Sequence, residues 1–477
     1  MPFYVLEEPK TLWHRMPPVR LAHPNPRRFT GLAPLLLGGL LIVGATAKEP
    51  PVPLVLISID GLRPDYVREA DRYGLRIPNL RRLLREGAGA EGVRGVLPTV
   101  TYPSHTTLIT GVSPARHGIL YNEPFDPLGR NADGWYWYAE DIRVPTLWDA
   151  VRDGGYDAAS VDWPVSVGAR VRWNIVQYWR TDYADTADDH KLSRLLSTPG
   201  LLDEAEKAVG RYPSGYAYDV AADERRAAFD TWMITTHKPV LTLAYFGSLD
   251  EEEHDSWPGS PTTLAVLERL DALVGRVREA AEKTWGVRFS LAVVSDHGHA
   301  RTVRELRLNE ALRAAGLISL NEAGHVTDWR AFGWGTGGSS AIMLRDPKDE
   351  ATRALVASVL ETLKGMQESP IERVLDQGEA EKEGGFPGAA FVVGVQKDVR
   401  IGARMEAPIL GPGLPAGEHG HFSNNTDMDA SFFVAGPAVA RGRDLGRIDM
   451  RDIAPTLARL LGLKLPSAEG HDLLDRP

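Results

Sequence analysis

The 477-residue sequence contains no cysteine. This absence excludes disulfides, a thiol nucleophile and any thiolate-held metal centre, and it carries no information on the redox compartment. Positive charge is also scarce, because 54 lysines and arginines face 64 aspartates and glutamates, for a formal net charge of -10. The chain therefore lacks the basic balance of a protein that binds a nucleic-acid duplex.

The N-terminal apolar stretch, Gly31–Ala47, is short for a membrane span and contains Pro34. It follows an arginine pair at 27–28 and ends in an Ala-x-Ala sequence, which is the order of a secretory signal peptide. We therefore expect residues 1–47 to be a signal peptide that is cleaved after Ala47, and the protein to be exported to the periplasm or the extracellular space. A retained N-terminal membrane anchor is the alternative.

The rest of the chain alternates strand and helix patterns. Leu54–Ile59, Val240–Phe246 and Phe289–Val294 are apolar, β-branched runs typical of buried parallel strands. Helical patterns lie between and after them, as at 262–284 and 452–461. This alternation predicts an α/β fold with a doubly wound, mostly parallel sheet flanked by helices.

Three regions have a less regular pattern. Residues 202–236 are predicted to be helical, and 301–416 to alternate helices with loops. Residues 163–201 have poor periodicity and are rich in tryptophan, tyrosine, aspartate and arginine. We interpret 163–201 and 365–416 as insertions that border the active site.

A hydroxyl-rich stretch spans Leu97–Asn122, and two prolines stiffen the backbone on either side of Thr101. After the second proline the pattern predicts a helix with Ser104 as its N-cap, ending at Gly111. A hydroxyl just before a helix start lies near free backbone N–H groups, which bind phosphate oxygens well. By itself the stretch is more typical of a hydroxyl-rich turn that caps a helix.

Carboxylates and histidines follow the predicted strands, at the edge where open α/β sheets place their sites. Asp250 and His254 stand at i and i+4, so a helical turn puts them on one face. The candidate metal ligands are Asp60, Thr101, Asp250, His254, Asp296, His297 and His419. Mixed nitrogen and oxygen ligands without sulfur favour two Zn²⁺ ions, with Mn²⁺ or Fe as alternatives. A solvated acidic loop and a buried strand-end histidine are the structural alternatives.

Five motifs occur in an order that resembles the nucleotide pyrophosphatase/phosphodiesterase branch of the alkaline phosphatase superfamily. They are ISIDG at 57–61, PTVTYPSH with TGVSPARHGILYN at 98–122, LDEEEH at 249–254, SDHG at 295–298 and GEHG at 417–420. The closing DIAPTLARLLG at 452–462 is similar to the last helix of that superfamily. The resemblance implies an alkaline-phosphatase-like catalytic domain over residues 48–477.

The resemblance also implies roles for single residues. Thr101 would be the nucleophile that forms a covalent phosphothreonine, and Asn122 would bind a phosphoryl oxygen. One zinc ion would be held by Asp250, His254 and His419, and the other by Asp60, Asp296 and His297 together with Thr101. The sequence departs from the family pattern at Ser104, where Asn is usual, and at His299, where this branch usually has Met.

The expected function is a metal-dependent hydrolase of phosphodiesters or nucleotide pyrophosphates, acting on a small, nucleotide-like phosphate ester. A phosphomonoesterase or phosphonoacetate-type hydrolase on the same scaffold is the first alternative, and it would need extra cations such as Arg180 or Lys191. A sulfatase is disfavoured because the usual cysteine precursor of its nucleophile is missing. The alternative outside enzymology is an inactive metal-binding or membrane-tethered binding protein.

Aromatic residues are concentrated in 163–201. They are Trp163, Trp173, Tyr178, Trp179 and Tyr183. Such rings can stack on a base or hold an apolar ester group, although any one of them could equally pack the insertion onto the core. The resemblance puts the Trp163–Ser166 segment beside the leaving-group pocket, so we expect at least one of these rings to line it.

Overall fold

A computed structural model of the chain describes residues 51–475, except 132–133, 181–183 and 185. The predicted signal peptide, residues 1–47, and the ring of Tyr183 lie outside these described residues. Between residues 51 and 475, no described helix is both long enough and apolar enough to cross a membrane.

An eight-stranded sheet forms the centre of the fold. The strand Leu54–Ile59 pairs in parallel with Leu241–Phe246 on one side and with Ser290–Val294 on the other. The full strand order is Arg443–Asp444, Ala88–Gly89, Phe432–Ala435, Ser290–Val294, Leu54–Ile59, Leu241–Phe246, Ala158–Val161 and Trp173–Ile175. Phe432–Ala435 runs antiparallel to its two neighbours. The predicted mostly parallel α/β sheet is confirmed.

Both faces of this sheet are covered, because alternate residues of its strands enter two different cores. Leu54 and Leu56 pack in a core with the helices Leu147–Asp153 and Ile453–Leu460. Val55 and Ile57 point the other way, into a core with the helix Pro261–Trp285. Near-continuous apolar runs are what a strand buried on both faces requires.

The helices surround this sheet and a smaller one. The described helices are Pro64–Arg68, Ala70–Tyr73, Pro78–Glu86, Thr101–Thr110, Pro114–His117, Leu147–Asp153, Ala187–Leu196, Leu201–Val209, Val220–His237, Ser248–Asp255, Pro261–Trp285, Leu308–Ala314, Glu350–Lys364, Gln377–Lys382 and Ile453–Leu460. The single helix expected over 202–236 is wrong: Gly210 and Pro213 interrupt it, and two helices result.

A second, antiparallel sheet lies in the region that was expected to contain only helices and loops. Its strand order is Ala331–Trp334, Ser339–Leu344, Phe391–Val395 and Ile371–Asp376. A three-stranded sheet, Val399–Ile401, Ala300–Leu306 and Leu410–Glu418, adjoins it in the chain. The glycines of 333–338 suggest a turn, but Gly333 lies inside a strand and only the following glycines make the connection. The expectation that 301–416 alternates only helices with loops is therefore wrong, whereas the connection at 335–338 is the turn that its glycines suggest.

The segment 163–201 is more regular than its sequence suggests. Trp173–Ile175 is the edge strand of the central sheet, paired in parallel with Ala158–Val161, and Ala187–Leu196 is a helix capped by Thr186. A three-residue strand is too short to produce a visible periodicity, which explains why the sequence pattern missed it.

Candidate metal centre and active site

The nucleophile candidate, Thr101, is the first residue of the helix Thr101–Thr110. Ser104 is therefore not the N-cap, and that prediction is wrong. Pro103 is compatible with the first turn of a helix, whose N–H groups have no partner within it, so the helix begins before the proline instead of after it. The helix ends at Gly111 in the left-handed conformation, as expected.

Two carboxylates and one imidazole lie near the Thr101 hydroxyl. Asp60 directly follows the strand Leu54–Ile59, and Asp296 and His297 follow Ser290–Val294, so neighbouring parallel strands deliver all three to one edge. Oγ1 of Thr101 lies 3.5 Å from Nε2 of His297. That nitrogen lies 3.5 Å from Oδ1 of Asp60 and 3.0 Å from Oδ2 of Asp296. All are buried, which makes this a compact donor set.

A second group lies beside the first. Asp250 and His254 occupy one face of the helix Ser248–Asp255, with Oδ1 and Nε2 separated by 3.6 Å. His419 follows the strand Leu410–Glu418, and its Nε2 lies 3.9 Å from the same oxygen. The rings of His419 and His297 stack with centroids 3.9 Å apart. The structure thus brings together all seven candidate ligands in two adjoining groups.

The electrostatics of these groups suit cations. Burial, together with Asp296 and Asp250, raises the pKa of Asp60 well above its usual value. Burial and Asp250 raise the pKa of Asp296 to about 7, and burial lowers the pKa of His297 to about 4. Like charges held together without water oppose ionisation, and a bound cation removes that penalty.

Buried atoms without hydrogen-bond partners also indicate that these two groups bind cations. The buried atoms Asp60 Oδ1, Asp250 Oδ1, Asp296 Oδ2, His297 Nδ1 and His419 Nδ1 make no hydrogen bond within the described part of the chain. Buried polar atoms normally have hydrogen-bond partners. Several buried oxygen and nitrogen atoms without a partner in one place are therefore what a set of metal ligands would leave when no ion is present. Aspartate oxygens and imidazole nitrogens are the ligands that zinc accepts in proteins.

Two histidines near the ligands were not singled out as site residues from the sequence. His105 lies one turn after Thr101, with Nδ1 2.8 Å from the Thr101 carbonyl oxygen and Nε2 2.8 Å from Oγ of Ser58. His299 lies with Nε2 3.1 Å from Oδ1 of Asp250. The i, i+4 spacing of His105 from Thr101 could have identified His105 as a site residue. The histidine after SDHG, where the family usually has methionine, could have identified His299.

Asn122 lies next to the nucleophile candidate through the backbone. Its Oδ1 accepts a hydrogen bond of 2.9 Å from the N–H of Tyr102. Both Thr101 and Asn122 line a cleft of about 450 Å³, together with Asp250, His254 and His419. A substrate in this cleft would therefore meet the threonine, the amide and the second ligand group at once.

Aromatic side chains form much of the cleft wall. They are Tyr121, Phe125, Trp135, Tyr216, Phe332 and Trp334. None of the described rings of 163–201 lines the cleft, so the expected contribution from that segment is not found. Trp163 is fully buried against His105, whereas Trp179 packs edge-on against Trp135 and Tyr216 and supports them from behind.

The charges of the cleft are one-sided. Its acidic lining residues are Glu123, Asp126, Asp250 and Glu418, and no lysine or arginine is found among the described residues that line it. Arg180 and Lys191 are exposed and pair with Asp188 at 3.3 and 3.4 Å. The structure therefore does not bring these two cations to the site.

The chain is similar in sequence to proteins of a known family. Residues 54–391 match the family described as type I phosphodiesterase / nucleotide pyrophosphatase. An uncharacterised pyrophosphatase/phosphodiesterase of Schizosaccharomyces pombe is 26% identical over 306 residues, which are 63% of this chain and 54% of the relative. A Bos taurus bis(5'-adenosyl)-triphosphatase is 25% identical over 281 residues, 58% of this chain and 54% of the relative. The chain thus spans about half the length of these relatives.

Solved structures give the same fold. Human ectonucleotide pyrophosphatase/phosphodiesterase 5 superposes with a TM-score of 0.62 at 20% identity, covering 88% of this chain and 96% of the other. The inactive murine counterpart in complex with AMP superposes with a TM-score of 0.61 at 20% identity, covering 89% and 97%. At this identity the likeness concerns the architecture.

Proposed function

The chain belongs to the type I phosphodiesterase / nucleotide pyrophosphatase family, and on this premise we propose that it hydrolyses phosphodiester or nucleotide pyrophosphate bonds with Thr101 as the nucleophile. The observation that carries the proposal is the position of the Thr101 hydroxyl in the cleft, 3.5 Å from His297 in one ligand group and lining the same wall as Asp250, His254 and His419 of the other.

The proposed cofactors are two zinc ions, with Mn²⁺ or Fe as alternatives. One would be held by Asp250, His254 and His419, and the other by Asp60, Thr101, Asp296 and His297. Such cations, when bound, supply Lewis acidity that lowers the pKa of a hydroxyl and neutralises charge developing on phosphoryl oxygens. One carboxylate oxygen each of Asp60, Asp250 and Asp296 is buried and makes no hydrogen bond to any described residue, which supports this assignment.

The residues of the chain divide the chemistry between them. Oγ1 of Thr101 attacks phosphorus and the ester bond to the leaving oxygen breaks, so the departing alcohol takes up the threonine proton. Asn122 donates from its amide nitrogen to a nonbridging oxygen. Water then attacks the phosphothreonine and the bond from phosphorus to Oγ1 breaks. This step regenerates the threonine hydroxyl and releases a phosphomonoester product.

The charge of the cleft favours diesters over monoesters. A diester has one negative charge at the phosphoryl group and a monoester has up to two, so a monoesterase gains from additional lysine or arginine contacts. The described lining of this cleft contains neither residue type, and Arg180 and Lys191 are paired elsewhere. The rings of the wall would stack on an aromatic or nucleoside group. The crystallised murine relative with AMP supports a nucleotide-like ligand.

A matched pair of substrates tests this function. We expect kcat/KM for bis(4-nitrophenyl) phosphate to exceed that for 4-nitrophenyl phosphate, which has the same leaving group but one more negative charge. The preference belongs to kcat/KM because it reflects transition-state binding. If the purified, zinc-loaded protein cleaves the monoester faster at equal concentration, the monoesterase alternative is correct. If it binds two cations and cleaves neither, it is an inactive binding protein.

We also propose that the protein is exported. The names of several relatives carry the prefix ecto, and the N-terminal sequence has the order of a signal peptide. The measurement is the intact mass of protein recovered from the periplasm or the medium, which should correspond to a chain that starts at Lys48. A mass that includes residues 1–47, recovered with the membrane fraction, would instead identify a retained anchor.

A further inference from the structure

A third imidazole lies at the ligand group of Asp250, His254 and His419. His299 is fully buried, and its Nε2 lies 3.1 Å from Oδ1 of Asp250. One ligand atom from each of these four residues can be chosen so that all lie within 4.8 Å of one another. The family resemblance assigns only three of them to a cation, since the family usually has methionine at the position of His299.

The ring of His299 has a specific orientation. Its Nδ1 lies 2.8 Å from Oε2 of Glu253, which is itself fully buried on the same helix as Asp250 and His254. Tyr66 donates to the other oxygen of Glu253 at 2.6 Å. A carboxylate against one ring nitrogen of a histidine leaves the other nitrogen free for a metal, an arrangement common behind metal-bound histidines.

The remaining atoms of this group have no other assignment. Oδ1 of Asp250 and Nε2 of His299 make no well-aligned hydrogen bond to any described residue. The imidazole also packs closely on the first motif, because a Cβ added to Gly61 would lie 3.0 Å from Cε1 of His299. Gly61 has φ +74°, where glycine is favoured, so the backbone leaves room for the ring.

We propose that His299 is a fourth protein ligand at the cation position of Asp250, His254 and His419, and that Glu253 and Tyr66 orient it. The position would then have one oxygen and three nitrogen ligands. Nitrogen-rich sets of this kind suit Zn²⁺ and related transition metals and disfavour Mg²⁺ and Ca²⁺. Because zinc can expand from four to five ligands, a place for substrate remains. The proposal rests on the metal-dependent function above, but its test measures cation binding.

The experiment uses a protein that holds only the cation in question. In an Asp296→Ala background, which should lack the other cation, zinc affinity is measured by chelator competition with and without His299→Met. We expect the methionine variant to bind zinc at least about tenfold more weakly. The Co²⁺-loaded pair should also differ in visible absorption, because the number of nitrogen ligands changes. His325→Ala removes an exposed histidine and serves as the matched control.

Three results would overturn the proposal. Unchanged affinity and unchanged Co²⁺ absorption in His299→Met would mean that His299 does not contact the cation. Weaker affinity with an unchanged Co²⁺ spectrum would mean that it acts only by positioning Asp250. Equal zinc and Mg²⁺ affinity in the background protein would contradict the nitrogen-rich set. His299→Gln, checked by thermal unfolding, repeats the test if the methionine variant does not fold. Absence of turnover in the unmodified protein, with zinc bound, would count against the proposed function instead.

Discussion

The side-chain oxygen of Asn122 accepts a hydrogen bond of 2.9 Å from the backbone N–H of Tyr102, the residue that follows Thr101. Because an N–H can only donate, this contact identifies which end of the amide is oxygen. The amide nitrogen is then the end available to a phosphoryl oxygen in the cleft. The same bond fixes Asn122 relative to the nucleophile candidate, so the donor is preorganised.

Asn122→Ala should therefore reduce kcat by about 10²–10³-fold, the range for removal of one preorganised donor. Cation content should stay unchanged, because Asn122 belongs to neither ligand group. Asn122→Asp keeps the acceptor for Tyr102 but replaces the donor with a negative charge, and should be at least as impaired. A kcat within twofold of the unmodified protein in both variants would remove Asn122 from the mechanism.

Thr101→Ala should abolish turnover while fold and cation content persist. The nucleophile is lost, so we expect a decrease in kcat of at least about 10³-fold. Thr101→Ser retains a hydroxyl at the helix start and is the matched control, which should keep measurable activity. Single-turnover experiments with the serine variant should trap a phosphorylated protein by mass spectrometry. An alanine variant that retains more than a small fraction of activity contradicts the assignment.

The two ligand groups predict separate losses of metal. Asp250→Ala or His254→Ala should remove one cation per chain, and Asp296→Ala or His297→Ala the other, as counted by elemental analysis after gel filtration. Asp255→Ala, an exposed aspartate on the same helix as Asp250, is the control and should retain both. Two cations per chain in all four ligand variants would refute this pairing.

Phe125 tests whether the ring-lined wall selects substrates. Its ring lies edge-on to Trp329 and at 5.5 Å from Trp334, and it borders the cleft. Phe125→Ala should lower kcat/KM for a nucleoside or nitrophenyl diester by about tenfold, the effect of losing one stacking contact, and should hardly change that for a dimethyl diester. Tyr138→Ala removes an exposed ring outside the cleft as a control. Equal losses for both diesters would indicate a structural role.

An ion-pair cluster far from the chemistry predicts a pH dependence of stability. Burial opposes ionisation of Asp449. Arg451 nevertheless donates from Nε and Nη2 to the two carboxylate oxygens, at 2.8 and 2.9 Å, and holds the pKa of Asp449 at about 2. A folded-state pKa below the unfolded one stabilises the protein above about pH 4, and this contribution is lost as the pH falls toward 2. Asp449→Asn should thus lower the free energy of unfolding by about 1 kcal/mol at pH 7, after solvent screening.

Urea unfolding of the metal-free protein and its Asp449→Asn variant measures this contribution. The gap between the two midpoints should narrow between pH 5 and pH 3, because the Asp449 carboxylate of the unfolded chain takes up a proton near pH 4 while that of the folded chain stays ionised. A gap that stays constant over this range would mean that the variant is destabilised by packing and not by loss of charge.

The sequence was most informative where strands end. Asp60, Asp250 and Asp296 follow apolar runs that are unmistakable, and parallel strands necessarily bring their carboxyl ends to one edge. The contact of His299 with Glu253 could not be predicted, because it depends on how the helix Ser248–Asp255 packs against a neighbouring strand end. The hydrogen bond between Ser58 and His105, which lie 47 residues apart in the chain, could not be predicted either. It depends on how the helix Thr101–Thr110 packs against the strand Leu54–Ile59.

The residues that form the walls of the cleft were harder to predict than the candidate metal ligands. The short antiparallel strands Ala331–Trp334 and Ser339–Leu344 have few residues each and are rich in glycine and serine, so their pattern is weak. The expectation that 163–201 supplies a ring followed from its aromatic content and from the resemblance of Trp163–Ser166. Trp163 is instead fully buried in the core that packs on one face of the central sheet.

The far wall of the cleft is contributed by one continuous stretch of chain, from Leu308 to Ala403, which includes the smaller sheet. The proposed catalytic and ligand residues Thr101, Asn122 and Asp250 lie outside that stretch, the first and last of them on the helices Thr101–Thr110 and Ser248–Asp255. Part of the cleft wall is thus carried on a stretch that contains none of the proposed nucleophile, phosphoryl-binding or metal-ligand residues. A chimera that exchanges only residues 308–403 with those of a relative would be expected to inherit new preferences while keeping its own reaction, which makes this stretch the natural unit for directed evolution.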